Sequence, residues 1–287
     1  MMENRALEIN NLSAKVSKFS LNNINLSVEK GTIMGLIGKN GAGKTTLINT
    51  IINKIEKDNG EVLFDGIPMY GNEKIVKSKI GVVYDKLMYP LNIKPIKVMK
   101  MIAPFYEKFD YDKFYELMER FELDPKKKLS AYSKGMQMKF NIVMAVCHDP
   151  DLIILDEPTA GLDPVARAEV IELFMELMQK EEMAILLSTH ITSDLEKIAD
   201  YITAIDNGNI VFTEEKDELV NKFSVVHVDK EAMTDEIKEK IIGVRETIFG
   251  YQGVALSKYN LQDIEGIKTS RPTIEDIMIY RGAANDE

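Results

Sequence analysis

Gly38-Lys39-Asn40-Gly41-Ala42-Gly43-Lys44-Thr45 fits the spacing G-x-x-x-x-G-K-[ST]. Glycines at these places let the backbone curl until successive N–H groups point inward, and that geometry cradles phosphate oxygens. Lys44 adds a cation for the β- and γ-phosphates of a nucleotide. The Thr45 hydroxyl is of the type that ligates Mg²⁺, and Thr46 follows it into the next helix. A second chemical group stands at Leu152-Ile153-Ile154-Leu155-Asp156-Glu157, where an apolar run ends in two carboxylates. Asp156 suits a magnesium position and Glu157 suits a general base facing an attacking water. An apolar strand ending in acids is ordinary by itself. Behind a phosphate-cradling loop it points to nucleoside triphosphate hydrolysis.

Two further groups carry less by themselves. Tyr132-Ser133-Lys134-Gly135-Met136-Gln137 reads by composition as a helix start with a serine cap. Ser188-Thr189-His190 closes another apolar run, and a lone histidine at a strand end is ordinarily structural. His148 and His227 have no chemical context and are read as structural.

The elements that must hold these residues follow from pattern. Leu7-Glu8-Ile9 and Ile24 to Val28 alternate apolar and polar residues, as half-buried antiparallel strands do. Thr32 to Ile37 is a near-continuous apolar run, so a buried strand leads into the glycine loop. A helix is expected from Lys44 to about Asn53, which is the context that confirms the loop. A turn at Asn59-Gly60 precedes a short strand over Glu61 to Phe64. From about Pro95 to Val146 the pattern is helical. Phe105, Phe109, Phe114, Leu117, Met118 and Phe121 form an apolar stripe expected in the core. Buried strands at Leu152 to Leu155 and Ala184 to Leu187 flank a crossover helix at about Pro164 to Gln179, the signature of a parallel sheet. A hairpin closes the domain around Asp206-Asn207-Gly208. Beyond about Asn221 a small mixed segment is expected, with strands near Val225 to Val228 and Val254 to Ser257 and a last helix near Ile274 to Tyr280.

Composition narrows the partners. The 287-residue chain carries a net charge of −10, which disfavours nucleic acid, whose binding rests on neutralising phosphates. The Lys126-Lys127-Lys128 run beside a proline reads as a solvated turn. With Cys147 as the one cysteine there is no intrachain disulfide, and its apolar neighbours make it a buried, inert thiol. No stretch reaches the ~18 apolar residues of a membrane-spanning helix, and Met1 to Arg5 lead into no apolar stretch. A soluble, cytoplasmic protein is the expectation.

Taken in order, these groups resemble the ATP-binding-cassette (ABC) ATPase domain across residues 7 to 220. Ser133 to Gln137 is similar to the family signature L-S-G-G-Q in a variant form, with Tyr132 and Lys134 as departures. Pro158-Thr159-Ala160-Gly161-Leu162-Asp163-Pro164 resembles the loop whose Asp, here Asp163, crosses the dimer interface. Ser188-Thr189-His190 resembles the switch that contacts the γ-phosphate. The closing Pro272-Thr273-Ile274-Glu275-Asp276-Ile277-Met278 resembles the ABC-2-type exporter branch, which includes bacitracin-type resistance pumps and modulin-type peptide exporters. The resemblance implies an α/β P-loop fold over residues 1–221, with an antiparallel β-subdomain and an inserted helical subdomain at roughly 86–150. It treats 222–287 as an accessory segment. It also implies ATP and Mg²⁺, a partner ATPase of the same or a sister kind, and a separate transmembrane permease. Ser133, Lys134, Gly135, Met136 and Gln137 would then act on the nucleotide of the opposite subunit, with peptides as the preferred cargo. Two further positions depart from the family. Val16 stands where an aromatic usually stacks on adenine, leaving Phe19 as the nearest ring. Asp85 stands where a glutamine usually ligates the metal. The rival reading is a soluble ABC ATPase of translation or DNA repair, which usually carries two ATPase domains or a coiled-coil insertion.

Overall fold

The structure is a computed structural model that describes residues 4–180 and 182–283. Residues 1–3, on which part of the no-leader expectation rests, and 284–287, the end of the accessory segment, lie outside the described residues. The chain divides into two compact units, 1–191 with 201–213, and 192–200 with 214–287. The second unit thus takes in 192–200 and 214–221, which the sequence reading groups with the ATPase domain.

The first unit begins with two long strands, β1 (Arg5–Val16) and β2 (Phe19–Glu29). They pair antiparallel, Val16 opposite Phe19, across a tight turn at Ser17 and Lys18. With β3 at Ile33–Ile37, helix α1 at Lys44–Ile51, β4 at Asn59–Phe64 and β5 at Ile67–Pro68, the order β2-β1-β4-β5 gives the expected antiparallel subdomain. Helix α2 (Glu73–Lys79) leads into β6 (Ile80–Val83). The helical insert follows as α3 (Pro95–Ile102), α4 (Tyr111–Arg120) and α5 (Lys134–Val146). Phe109, Phe114, Leu117, Met118 and Phe121 are buried there as expected. Phe105 is not: it is 78% exposed. It ends a 3₁₀ turn after α3 and lies outside α4, so it does not share that helix's buried face.

The chain then alternates β7 (Leu152–Asp156), α6 (Pro164–Leu177) and β8 (Ala184–Thr189). The hairpin of β9 (Tyr201–Asp206) and β10 (Asn209–Glu215) closes the sheet in the order β10-β9-β3-β8-β7-β6. Its turn residues Asn207 and Gly208 both have positive φ, as a two-residue hairpin turn requires. Strands β9, β3, β8, β7 and β6 run parallel, with every residue of β3, β7 and β8 buried. Ligand sites of such sheets lie outside the carboxyl ends of the strands.

The second unit contains α7 (Thr192–Ile198), α8 (Lys216–Lys222), β11 (Phe223–Val228), α9 (Asp235–Lys240), β12 (Ile241–Thr247), β13 (Gly250–Leu256), β14 (Ile267–Ser270) and α10 (Ile274–Ala283). Its strands form an antiparallel sheet in the order β12-β13-β11-β14 around Val226, Val228, Ile237, Ala255 and Ile267.

Candidate active site

Strand register brings the chemical residues to one edge. In the parallel sheet Ile37 is opposite Thr189, Asp156 is opposite Ser188, and Val83 is opposite Leu155. The segments that leave β3, β8, β7 and β6 at their carboxyl ends are therefore Gly38 to Thr45, His190, Glu157 and Tyr84-Asp85. Four stretches far apart in sequence converge because parallel strands all deliver their ends to the same side.

The loop from Gly38 to Gly43 rises as sequence spacing predicts. Lys39, Asn40 and Gly41 are exposed, whereas Gly38, Ala42, Gly43 and Lys44 are buried. Gly43 has φ +114°, and a Cβ there would sit 2.7 Å from the Phe19 ring tip. Only glycine suits both demands. Helix α1 starts at Lys44, so its unsatisfied first-turn amides and positive end face the loop. Thr46, in the first turn of α1, is half-buried and its carbonyl accepts from Thr50 Oγ1 at 2.9 Å.

The side chains interlock. Lys44 Nζ donates to the Gly38 carbonyl at 2.7 Å and lies 3.4 Å from Glu157 Oε1. Glu157 Oε2 is 2.7 Å from His190 Nδ1. Glu157 also holds φ +54°, an uncommon conformation for a non-glycine residue, and its N–H is fixed by the Ser188 carbonyl at 2.9 Å. The neighbouring Asp156 is 2% exposed. Its Oδ2 accepts from Thr45 Oγ1 at 2.8 Å and its Oδ1 from Ser188 Oγ at 3.2 Å. Burial pushes the Asp156 carboxyl above the usual carboxylate range. The two hydroxyls oppose that rise, and the negative charges of Glu157 and Asp85 add to it. Such a carboxylate, crowded by anions and bonded to a threonine hydroxyl, is the donor set a hard dication relieves. Among the described residues no group of three or more His, Cys, Asp or Glu is arranged to hold a metal. Mg²⁺ is generally held by one or two carboxylates together with substrate phosphates and waters, and Asp156 with Thr45 is a donor set of that kind.

The remaining predicted residues fall in two places. Val16 and Phe19 face each other at the β1–β2 turn, both half-buried, with Phe19 laid against Gly43 beside the phosphate loop. Ser133 and Asp163 are helix caps. Ser133 Oγ accepts from the Met136 N–H at 3.2 Å, and Asp163 Oδ1 accepts from Val165 and Ala166 N–H groups at 3.0 Å. Ser133 and Lys134 are exposed, Gly135 and Met136 are half-buried, and Gln137 turns inward. The Gln137 amide donates to the Leu129 and Tyr132 carbonyls at 3.3 and 3.2 Å, which commits it to its own chain. Ser188 is the residue that sequence reasoning missed. It was legible only as the end of an apolar run, and its hydroxyl fixes Asp156. Cys147 is buried, and burial pushes its thiol up to about 12, which leaves it inert at neutral pH.

Comparison with known proteins bears on the family and the fold. Residues 21–160 match the family model described as ABC transporter. The ABC transporter ATP-binding protein YtrB of Bacillus subtilis (strain 168) is 32% identical over 208 residues, 71% of this chain and 69% of its own length. The lantibiotic transport ATP-binding protein SrtF of Streptococcus pyogenes is 32% identical over 214 residues, 74% of this chain and 91% of its own. A solved structure of an ATP-binding subunit of an ABC transporter shares the fold with a TM-score of 0.69 and 28% identity. That match covers 75% of this chain and 91% of the other.

Proposed function

The chain belongs to the ABC transporter family, and from that premise we infer that two ATPase subunits share each ATP site between them. The chain binds and hydrolyses ATP to power a separate membrane partner of an exporter. Among the described residues no helix is long and apolar enough to cross a membrane, which fits a subunit held at the membrane by that partner, at its cytoplasmic face. Lys44 and the loop amides bind the β- and γ-phosphates. Thr45, Asp156 and Asp85 hold Mg²⁺, which when bound neutralises charge on the phosphates. Glu157 accepts the proton of the attacking water, and His190 orients Glu157 while reaching the γ-phosphate. Ser133 and the Gly135 backbone of the second subunit complete the site. Phe19 supplies the ring beside the adenine. The closed pair exists only with ATP between the two chains, so ATP favours closure and hydrolysis releases it.

The observation that carries this reading is the contact chain Lys44–Glu157–His190 beside the Thr45–Asp156 pair. All these residues precede position 221, which supports assigning the chemistry to 1–221 and an accessory role to 222–287. The lantibiotic transport of SrtF supports a peptide cargo. Glu157→Gln keeps the shape and removes the base. It is expected to bind ATP normally, to trap the closed dimer and to lower turnover ~10²-fold or more. Hydrolysis at the wild-type rate would remove Glu157 from that role.

A further inference from the structure

The helical insert is charged against the rest of the chain. Residues 86–150 carry 12 Lys and Arg against 8 Asp and Glu, within a chain of net charge −10. The excess is gathered in two stretches, 86–106 and 125–130, which together hold seven lysines and no Asp or Glu. The fold stitches these stretches together. The Leu129 N–H donates to the Ile93 carbonyl at 2.9 Å, the Ser130 N–H to the Leu91 carbonyl at 2.8 Å, and the Ile96 N–H to the Pro125 carbonyl at 3.3 Å. Val98, Met99 and Leu129 are buried, whereas all seven lysines are exposed. Lys94, Lys97 and Lys128 line a cavity of about 350 Å³ with Pro90, Asn92 and Ile93. Among the described residues none of the seven is in an ion pair, although Lys139 of the same insert pairs with Glu169 and Asp149 with Lys180. Like charges gathered in this way repel one another, and an anion relieves them.

Apolar side chains stand among these cations. Lys97, Lys100 and Met101 share one face of α3 at helical spacing, and all three are exposed. Met101 is 62% exposed, and Leu91, beside Asn92 of the cavity wall, is 52% exposed. Lysines interleaved with exposed apolar tips suit a bilayer surface, where the cations meet headgroups and the tips enter the boundary beneath them. Every cation of the patch is lysine, a point charge on a flexible stem, which suits a diffuse layer of headgroups. Arginine is the residue for fixed, forked contacts with carboxylates, so the composition favours lipid over an acidic protein segment. We propose that this face of the helical insert binds the anionic phospholipid surface of the membrane, with a headgroup phosphate seated among Lys94, Lys97 and Lys128. This rests on the reading, given above, that a membrane partner holds the chain at a bilayer. The acidic remainder of the chain is repelled by an anionic leaflet, so the lysine face also sets which side of the subunit approaches it.

Flotation of the full chain with vesicles tests this and needs neither the permease nor turnover. Wild type should float with vesicles of phosphatidylglycerol and phosphatidylcholine in equal parts and stay behind when only phosphatidylcholine is present. Its binding should weaken as salt rises. Lys94→Gln, Lys97→Gln and Lys128→Gln combined should lower partition about 100-fold, since each lysine near an anionic surface contributes about fivefold. Lys238→Gln, Lys258→Gln and Lys268→Gln combined remove the same charge from the second unit and should leave partition nearly unchanged. Thermal melts matching the wild type show that both variants fold. Equal flotation with the two kinds of vesicle overturns the proposal. So does an equal loss in the two triple variants, because net charge alone would then govern binding. Full vesicle binding by the Lys94, Lys97 and Lys128 variant, with loss of a co-purifying permease, assigns the patch to an acidic segment of the partner and overturns it too. Vesicle binding can fail while a permease still co-purifies, and can hold where none does, so this inference and the reading it rests on fail separately.

Discussion

Asp85 follows β6 by two residues, and its charge raises the Asp156 carboxyl across the strand ends. A dication held by Asp156 and Thr45 would therefore lie within electrostatic reach of Asp85. A glutamine there would offer an oxygen without the charge. If Asp85 serves the metal as the resemblance implies, its carboxylate would be a hard ligand for Mg²⁺ and would repel the γ-phosphate when the ion is removed. Asp85→Gln is expected to raise ATP affinity in chelator while keeping Mg²⁺-supported turnover within about tenfold, roughly 1.4 kcal/mol. Affinities of both proteins with chelator and with Mg²⁺ test this. An unchanged ratio would place Asp85 outside the metal's reach. At this scale the sequence was most legible where backbone and side chain are both constrained. The loop Gly38 to Thr45 and the pair Asp156-Glu157 declare themselves because few sequences satisfy that spacing after a buried strand. The partners of those residues do not. That Ser188 binds Asp156 and that Gln137 faces inward depend on strand register and helix phase, which no local pattern specifies.

Elements follow the same rule. Long buried strands and amphipathic helices of the first unit are readable because each satisfies a hydrophobic period over enough residues. Phe105 defeats the pattern because a 3₁₀ turn breaks the helical phase between α3 and α4. Strand β12 contains Gly243, Arg245 and Glu246 and shows no clean alternation of burial, so it is invisible beforehand. Helix α7 has seven residues, too short for a period to repeat. Its role appears only in three dimensions. Glu196 of α7 accepts from the Ile274 N–H at 2.9 Å, at the start of α10, where Thr273 and Asp276 cap each other reciprocally. Lys216 Nζ donates to the Glu196 carbonyl at 3.3 Å. The Pro272-Thr273-Ile274-Glu275-Asp276 sequence is thus a helix start seated on α7. Glu196→Ala leaves the Ile274 amide without this acceptor and should destabilise the second unit by about 1–2 kcal/mol, a charged hydrogen-bond loss. Glu196→Gln should restore part of it. Hydrogen exchange at residues 274–277 reads the effect locally. Unaltered protection in Glu196→Ala would mean that the reciprocal cap alone holds α10.

At the scale of the whole chain, the stability of the first unit contains a histidine that pH can reach. His148 follows α5 and is 3% exposed. Its ring stacks on Tyr106 with centroids 4.0 Å apart, and Nε2 lies 3.0 Å from the Ile80 carbonyl at the start of β6. A carbonyl can only accept, so Nε2 carries the proton and the helical insert is tied to the sheet through a neutral imidazole. Burial lowers the His148 pKa below its ordinary value. The Ile80 and Met144 carbonyls and Asp149 pull it upward, and Lys113 adds to the lowering. The sign follows from linkage: below about pH 6.5 the unfolded chain takes up a proton on this histidine that the folded chain resists. Its contribution to stability is complete above that pH and declines as pH falls toward the depressed folded value. The decline cannot exceed about 1.4 kcal/mol per pH unit for one group. His148→Gln keeps a donor for Ile80 and removes the titration. Urea unfolding midpoints at pH 7.5 and pH 5.5 should separate more for the wild type than for His148→Gln, with the variant somewhat less stable at both because the Tyr106 stack is lost. Carboxylates titrate mainly below this window, so they shift both proteins alike. Equal separation in the two proteins would show that His148 takes its proton as readily folded as unfolded, and that the insert is fastened to the sheet without regard to pH.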